Sequence, residues 1–225
     1  MKLKNFAKNI WTIERPFKMY GLPLGNRMTI VDYSGNGDLW LHSPVSFTDD
    51  VEECLSNLGT VRYVVAPNRW HHLAVGDYIE NYPDTQFICA PGLDEKRPDL
   101  KFDGVIGDQG SYPWSSVLSH QVIEGSPILN EVVFYHEPSQ TLVVTDVGIH
   151  ICEDSPLLTR LVFKLIGGYR HFGWTAVEKI FLIKNKKAFN SSIDKVLKWD
   201  FDKIILSHGQ PVLGDGKAVF KKAFG

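Results

Sequence analysis

The alternation of apolar and polar positions predicts that the chain opens with antiparallel strands. Residues 27–33 and 38–42 are rich in β-branched and other apolar residues, which is typical of strands. Between them, Ser34-Gly35-Asn36-Gly37 predicts a hairpin turn, because Asn and Gly tolerate positive φ angles. The two strands are therefore expected to pair with each other.

The next stretch alternates helices with strands. Residues 48–59 place apolar side chains at helical spacing between Thr48, a candidate N-cap, and the terminating Gly59. Residues 73–82 contain apolar residues and no proline, and predict a second helix. Apolar runs at 61–65 and 86–90 predict buried strands. This β-α-β order implies parallel pairing.

The second half of the chain also begins with strands and later supplies helices. Strands are predicted at 103–106, 117–124, 131–135, 141–145 and 203–207, and helices at 157–166, 174–183, 191–199 and from about 215. No linker or change of composition interrupts the chain, so one domain over residues 1–225 is expected. Stacking two such sheets with helices outside would give an α/β fold of four layers, an αββα sandwich. The pattern alone leaves a three-layer α/β fold open.

The amino-acid composition argues against two classes of binding partner, nucleic acids and membranes. The net charge is −2 and no basic stripe occurs, which argues against a nucleic-acid partner. No apolar run approaches the roughly 20 residues that span a bilayer, and no signal peptide is evident, so no membrane partner is expected. Three cysteines without a CxxC spacing predict free thiols in a reducing compartment, which favours the cytoplasm. The apolar helix at 157–166 is expected either to enter the core or to form a homodimer surface.

Groups that can bind a metal follow three of the predicted strands. His71 and His72 follow strand 61–65, Asp146 follows strand 141–145, and His208 follows strand 203–207. Ligands of open α/β sheets bind at the carboxyl ends of strands. Imidazole and carboxylate are ligands of zinc and similar ions, and catalytic sites keep one position open for water. These four residues are therefore a candidate metal site.

These residues give the chain a family resemblance. It resembles the metallo-β-lactamase-like superfamily, in particular a functionally uncharacterised branch. That superfamily carries an H-x-H-x-D-H turn after an early strand, a later single His, an Asp after a hairpin strand and a last His-Gly. Asp146 in Leu142-Val143-Val144-Thr145-Asp146 and His208 in Ser207-His208-Gly209 match the last two features. The resemblance implies the four-layer αββα sandwich and one domain.

The first motif departs from that pattern. Asn68 and Trp70 stand at the first two His positions and, with the residue between the second His and the Asp missing, His71 stands at the Asp position and His72 at the last His. The later single His is missing, and Glu131 is the nearest substitute. In members with two metals, the first two His and the later His hold one ion, and the remaining ligands hold the other.

The resemblance therefore implies that one of two metal positions is retained, built by His71, His72, Asp146 and His208. An imidazole at the Asp position makes this site less anionic, which favours one divalent zinc or iron ion over magnesium. Four further residues are expected to border a small-molecule substrate: Asn68, Trp70, His42 and Glu131. For Trp70, filling the space of the missing metal is the alternative, and for Asn68 the alternative is capping the turn.

Three functions fit these expectations. The first is a mononuclear metal-dependent hydrolase, in which the metal acidifies a water that attacks an ester, thioester, amide or phosphoester. The second is a binding protein that kept the fold and lost the chemistry, since half of the dinuclear motif is gone. The third is an iron-dependent redox enzyme, because His-rich sites suit iron. Fold alone does not choose among them.

Overall fold

A computed structural model of the chain describes residues 3–107 and 110–225. The strands are β1 (Leu3–Ala7), β2 (Ile10–Arg15), β3 (Lys18–Met19), β4 (Leu22–Pro23), β5 (Asn26–Asp32), β6 (Asp38–His42), β7 (Thr60–Ala66), β8 (Gln86–Cys89), β9 (Gly104–Val105), β10 (Leu118–Val122), β11 (Val132–His136), β12 (Thr141–Val143), β13 (Ile149–His150), β14 (Lys203–Ile205) and β15 (His208–Gly209). The α-helices are α1 (Asp49–Leu58), α2 (Val75–Asn81), α3 (Leu93–Lys96), α4 (Leu157–Leu165), α5 (Ala176–Leu182), α6 (Lys186–Val196) and α7 (Gly216–Phe224).

Two large sheets form the centre of the molecule. The first has the strand order β1-β2-β5-β6-β7-β8-β9, antiparallel up to β6 and parallel from there on. The second has the order β10-β11-β12-β14, with β12 and β14 parallel. Beyond the ends of β12 and β14, the short parallel pair β13–β15 continues the pairing of the same two chain segments. The predicted change from antiparallel to parallel pairing is confirmed.

Alternate residues of the central strands enter different cores. Leu39 and Leu41 of β6 pack with α1 and α2, whereas Trp40 between them packs between the two sheets. The same alternation in β11 sends Phe134 to the space between the sheets, and Val133 to a third core with α6 and α7. Successive side chains of a strand point to opposite faces, so both sheets are buried on both faces. The expected four-layer αββα sandwich is confirmed.

Several helix boundaries differ from the sequence-based prediction. Helix α6 begins at Lys186 rather than near 191, because the Asn185 side chain caps it by accepting the backbone N–H of Ala188 (3.1 Å). Helix α2 begins at Val75, so His71 and His72 lie in the turn that precedes it. Among the described residues, no helix combines the length and the apolar character that crossing a bilayer needs.

Candidate metal centre

Three side chains from the strand ends meet at one point. His71 comes from the turn after β7, Asp146 follows β12, and His208 begins β15. The His71 Nε2 atom lies 3.2 Å from Asp146 Oδ2 and 3.2 Å from His208 Nε2, and His208 Nε2 lies 3.6 Å from Asp146 Oδ1. Their ligand atoms all lie within 4.8 Å of one another. The predicted convergence of three strand ends is present.

The second ring nitrogen of each histidine has a partner of its own. His208 Nδ1 lies 2.6 Å from the Gly25 carbonyl oxygen. A carbonyl can only accept, so Nδ1 carries the hydrogen, and Nε2 of the neutral ring has its lone pair directed to the centre. His71 Nδ1 lies 2.6 Å from Ser43 Oγ. Such outer contacts fix the ring orientation of metal-binding histidines.

The donor set fits a single divalent ion. Zinc takes imidazole nitrogen and carboxylate oxygen at about 2.0–2.2 Å, and a tetrahedral arrangement at that distance separates its ligands by about 3.3–3.6 Å. The two 3.2 Å distances from His71 Nε2, to Asp146 Oδ2 and to His208 Nε2, are close to that separation, and His208 Nε2 lies 3.6 Å from the other carboxylate oxygen of Asp146, Oδ1. His71, Asp146 and His208 could therefore hold one ion and leave coordination positions open.

Glu131 holds the loop that carries Asp146. Its carboxylate accepts the backbone N–H groups of Thr145 (2.6 Å), Asp146 (2.8 Å) and Val147 (2.9 Å). On the other side of the loop, the Trp174 indole N–H donates to the Asp146 carbonyl oxygen (2.6 Å). Glu131 and Asp146 are both buried. Two buried carboxylates favour a nearby cation, because uncompensated buried charge is costly.

Asn68 joins the two carboxylates. Its Nδ2 group lies within donating distance of Asp146 Oδ2 (2.7 Å), Thr145 Oγ1 (2.8 Å) and Glu131 Oε2 (3.2 Å). Its Oδ1 atom accepts the backbone N–H groups of Trp70 and His71, each at 2.8 Å. One fully buried amide therefore fixes both the turn that carries His71 and the carboxylate of Asp146.

Arg27 fixes the backbone around His208. Its guanidinium donates to the carbonyl oxygen of Leu206 on one side and to that of Gly209 (2.8 Å) on the other. Glu14 balances the buried charge at 2.9 Å. The Phe17 ring stacks on the His208 imidazole, with 5.7 Å between ring centroids.

Comparison with known protein families identifies the family of this chain. Residues 7–166 match the family described as a domain of unknown function, DUF4336. The chain belongs to the DUF4336 family. His208 lies outside the matched segment, and the fold brings it to the two candidate ligands, His71 and Asp146, that lie within it. The search of curated proteins finds no match.

Solved structures show the fold that this DUF4336 member adopts. It is similar to a metallo-β-lactamase from Pontibacter korlensis, with 12% identity, 98% of each chain covered and a TM-score of 0.64. The Flv1 flavodiiron core from Synechocystis sp. PCC6803 matches at 11% identity over 98% of this chain and 59% of that chain (TM-score 0.66). FIM-1 from Pseudomonas aeruginosa in its mono-zinc form matches at 10% identity over 98% and 91% (TM-score 0.62). The chain therefore has the metallo-β-lactamase fold.

His72 lies apart from the other three predicted ligands. Its Nδ1 atom is 2.7 Å from the Arg97 guanidinium, which donates to it. Burial, together with the positive charges of Lys96 and Arg97, lowers the pKa of His72 to about 4. Of the four predicted ligands, the structure brings together His71, Asp146 and His208, and His72 instead contacts Arg97.

The pKa values of the two histidines of the turn, His71 and His72, shift in opposite directions. Burial opposes a charge on His71, but the Asp146 carboxylate outweighs it and raises the pKa of His71 above its usual value. Burial and the nearby Asp146 raise the pKa of Glu131. Burial alone would raise the pKa of Asp146. The charges of His71 and His208 and the hydrogen bonds from His71 and Asn68 together lower this pKa by more, so the net shift is downward. Burial and the charge of His71 lower the pKa of His208, so among the three donors a positive charge is favoured at His71 alone, and it is disfavoured at His208 and at His72.

A cleft of about 640 Å³ opens above the three donors. Trp70 and His72 line it. Three other residues predicted to border the substrate do not lie among its lining residues. Asn68 and Glu131 are fully buried beneath the centre, and His42 packs between Trp40 and Phe134. Burial, reinforced by the charge of His71, lowers the pKa of His42 to about 3.

The sequence analysis missed the groups that orient the histidines. Ser43, Arg27 and the Gly25 carbonyl contact His71 or flank His208, and they come from the loop after β6 and from the start of β5. Arg27 carries a signal that could have been noticed, since it is a charged residue inside an apolar strand. Ser43 and Gly25 carry none, because their contacts join residues 28 and 183 positions apart.

Proposed function

We propose that the protein is a mononuclear metal-dependent hydrolase. The observation that carries this proposal is the meeting of two imidazole nitrogens and one carboxylate at the floor of an open cleft. A divalent ion bound there would polarise a substrate oxygen and acidify a water. Two histidines and one carboxylate, with one position left for water, form a known type of catalytic zinc site.

The chain supports this chemistry with its own residues. Ser43, Gly25 and Asn68 hold the three donors, and each of them contacts a different donor. Since His72 accepts from Arg97 at Nδ1, its neutral ring carries a hydrogen on Nε2 and can donate to a substrate oxygen in the cleft. The substrate classes remain those expected from the sequence, namely an ester, thioester, amide or phosphoester.

Asn68 and Glu131 favour a stoichiometry of one metal ion per chain. The resemblance places these residues where ligands of a second ion would stand. Asn68 donates to Glu131 and to Asp146, and Glu131 accepts three backbone N–H groups. These hydrogen bonds use the oxygen atoms that a second ion would need, so one ion per chain is expected.

The donor set also favours a second candidate function, that of an iron-dependent redox enzyme. Two histidines and one carboxylate with open positions are the ligand set of non-haem iron(II) oxygenases. The similarity to a flavodiiron core concerns the fold alone, at 11% identity. The identity of the bound metal separates the two candidates.

The first experiment is a measurement of metal content by plasma mass spectrometry, on protein purified without a chelating column. We expect about one equivalent of zinc in the wild-type protein and a near-complete loss in His71→Ala. His72→Ala is the matched control, because it removes the adjacent imidazole without removing a convergent donor, and it should keep its metal. Equal loss in both variants would restore His72 as a ligand and contradict the three-donor centre.

Hydrolysis is tested on the same proteins with chromogenic aryl esters and thioesters. His71→Ala should lower kcat/KM by at least about 10²-fold, since it removes a donor, whereas His72→Ala should act mainly on KM. One equivalent of iron with no hydrolysis would favour the redox candidate. A wild-type protein that stays empty after incubation with zinc or iron would favour the non-catalytic binding protein.

A further inference from the structure

Exposed apolar side chains ring the mouth of the cleft. They come from three separate segments, and soluble proteins seldom expose so many large apolar side chains together. Tyr20 is fully exposed, and Leu73 and Phe181 expose 72% and 64% of their surface. We call this set the apolar rim; its members, all exposed and all lining the cleft, are Met19, Tyr20, Trp70, Leu73, Val177 and Phe181.

Helix α4 adds a second exposed apolar surface next to the rim. It packs on the β3–β4 hairpin through Thr159, whose hydroxyl donates to the Pro23 carbonyl oxygen, and through Phe163, which joins Leu24 in a small core. The opposite side of the helix is exposed and consists of leucines. These are Leu157, Leu158, Leu161 and Leu165. Their spacing of three and four residues places them on one face of the helix.

The tip of the β3–β4 hairpin presents an aromatic ring to solvent. Tyr20 and Gly21 form its two-residue turn with φ angles of +51° and +81°. Such a turn favours Asn or Gly at both positions, and this backbone conformation is unfavourable for a tyrosine. Neither burial nor helix packing explains this tyrosine. Tyrosine is, however, enriched where an apolar phase meets water.

The chain segment that carries α4 and α5 is rich in basic residues. Residues 157–187 contain seven lysines and arginines and one acidic residue, Glu178, although the whole chain has a net charge of −2. Lys164, Lys184, Lys186 and Lys187 are exposed. The exposed lysines give this segment a basic surface, and the same segment carries the exposed leucines of α4 and the rim residues of α5. This combination matches what an amphipathic helix presents to anionic lipid headgroups.

We propose that the apolar rim and the leucine face of α4 dock on the surface of an anionic lipid bilayer. A second copy of the chain is the less suitable occupant. A two-fold dimer would place this basic surface against itself, and like charges would oppose each other. The proposal adds a peripheral membrane partner, contrary to the expectation of no membrane partner from the sequence, and it does not depend on the metal centre.

The test is flotation of the full chain with vesicles of phosphatidylcholine alone or with about one-third phosphatidylglycerol. The wild-type protein should float with the anionic vesicles and much less with the neutral ones. The double variant Leu161→Ser/Leu165→Ser, which changes exposed side chains outside the cleft, should partition about tenfold more weakly. Leu213→Ser is the matched control, since Leu213 is 70% exposed and lies outside the rim and α4.

Light scattering after size exclusion gives the second readout. A monomeric wild-type protein that floats, with binding lost only in the α4 variant, supports the proposal. A dimer that the α4 variant dissociates, without vesicle binding, would assign the surface to a second copy and overturn it. A protein that binds no vesicles, or binds them equally well after the α4 substitutions, would overturn it too.

Discussion

At the scale of single residues, Asn68 fixes the geometry of the candidate metal centre. Its amide donates to one candidate ligand, Asp146, and accepts from the backbone N–H of another, His71. A carboxylate could not make both sets of contacts because it only accepts, and a neutral imidazole has a single N–H, whereas the amide of Asn68 offers two N–H donors and an oxygen acceptor. Asn68 therefore organises two of the three candidate ligands.

Asn68→Asp should strongly destabilise the metal-free protein. The substitution replaces an N–H donor by a carboxylate oxygen close to Asp146 and Glu131, in a fully buried position. We expect the free energy of unfolding in urea, measured with a chelator present, to fall by about 3 kcal/mol. Asn190→Asp, on the exposed surface of α6, makes the same chemical change and should cost little. Equal stability of the two variants would contradict the role given to Asn68.

At the scale of elements, the short pair β13–β15 positions His208. Gly209 has a φ of +94°, and a Cβ atom there would lie 2.1 Å from the His150 carbonyl oxygen. This close approach of two backbones explains why a glycine follows His208. The pair comprises only Ile149–His150 and His208–Gly209, so the Arg27 contacts to Leu206 and Gly209 are needed to fix it.

Gly209→Ala should separate the two strands and displace His208. We expect a loss of stability of about 3 kcal/mol and a metal affinity at least about tenfold weaker, measured by competition with a chromogenic chelator. Gly214→Ala serves as the control, because a Cβ at Gly214 meets no atom within 4 Å. An unchanged metal affinity in Gly209→Ala would show that His208 does not depend on this strand pair.

The sequence predicted elements better than it predicted contacts. The strand ends that carry His71, Asp146 and His208 follow from apolar runs and the polar residues that end them, which are local signals. The direction of His72 depends on the path of a four-residue turn and on Arg97, a residue 25 positions away. The burial of Asn68, His42 and Glu131 depends on the packing of one sheet on the other. No local pattern encodes these two facts.

At the scale of the whole molecule, burial of histidines links stability to pH. His136 lies at the end of β11, away from the metal centre, with Nδ1 2.8 Å from Ser139 Oγ. Burial lowers the pKa of His136 to about 4. In the unfolded chain His136 therefore binds a proton near pH 6.5, whereas in the folded chain it binds one only near pH 4. Stability is present above pH 6.5 and is lost as the pH falls through this window.

The His136→Asn variant tests this linkage, because an amide can keep the contact to Ser139 and does not titrate. Between pH 6.5 and pH 4 the wild-type protein should lose on the order of 2 kcal/mol more than the variant, after allowance for solvent screening. Chemical denaturation at a series of pH values measures the difference. Parallel curves for the two proteins would show that His136 is protonated alike in both states.

The hydrogen bonds that fix each donor have a kinetic consequence. Ser43, Gly25 and Asn68 fix His71, His208 and Asp146 through contacts within the protein, so we expect removal of a metal to leave the arrangement in place. Reloading then requires only diffusion into an open cleft, and no refolding step. Occupancy of this centre would follow the supply of free metal in its surroundings within the lifetime of one folded molecule.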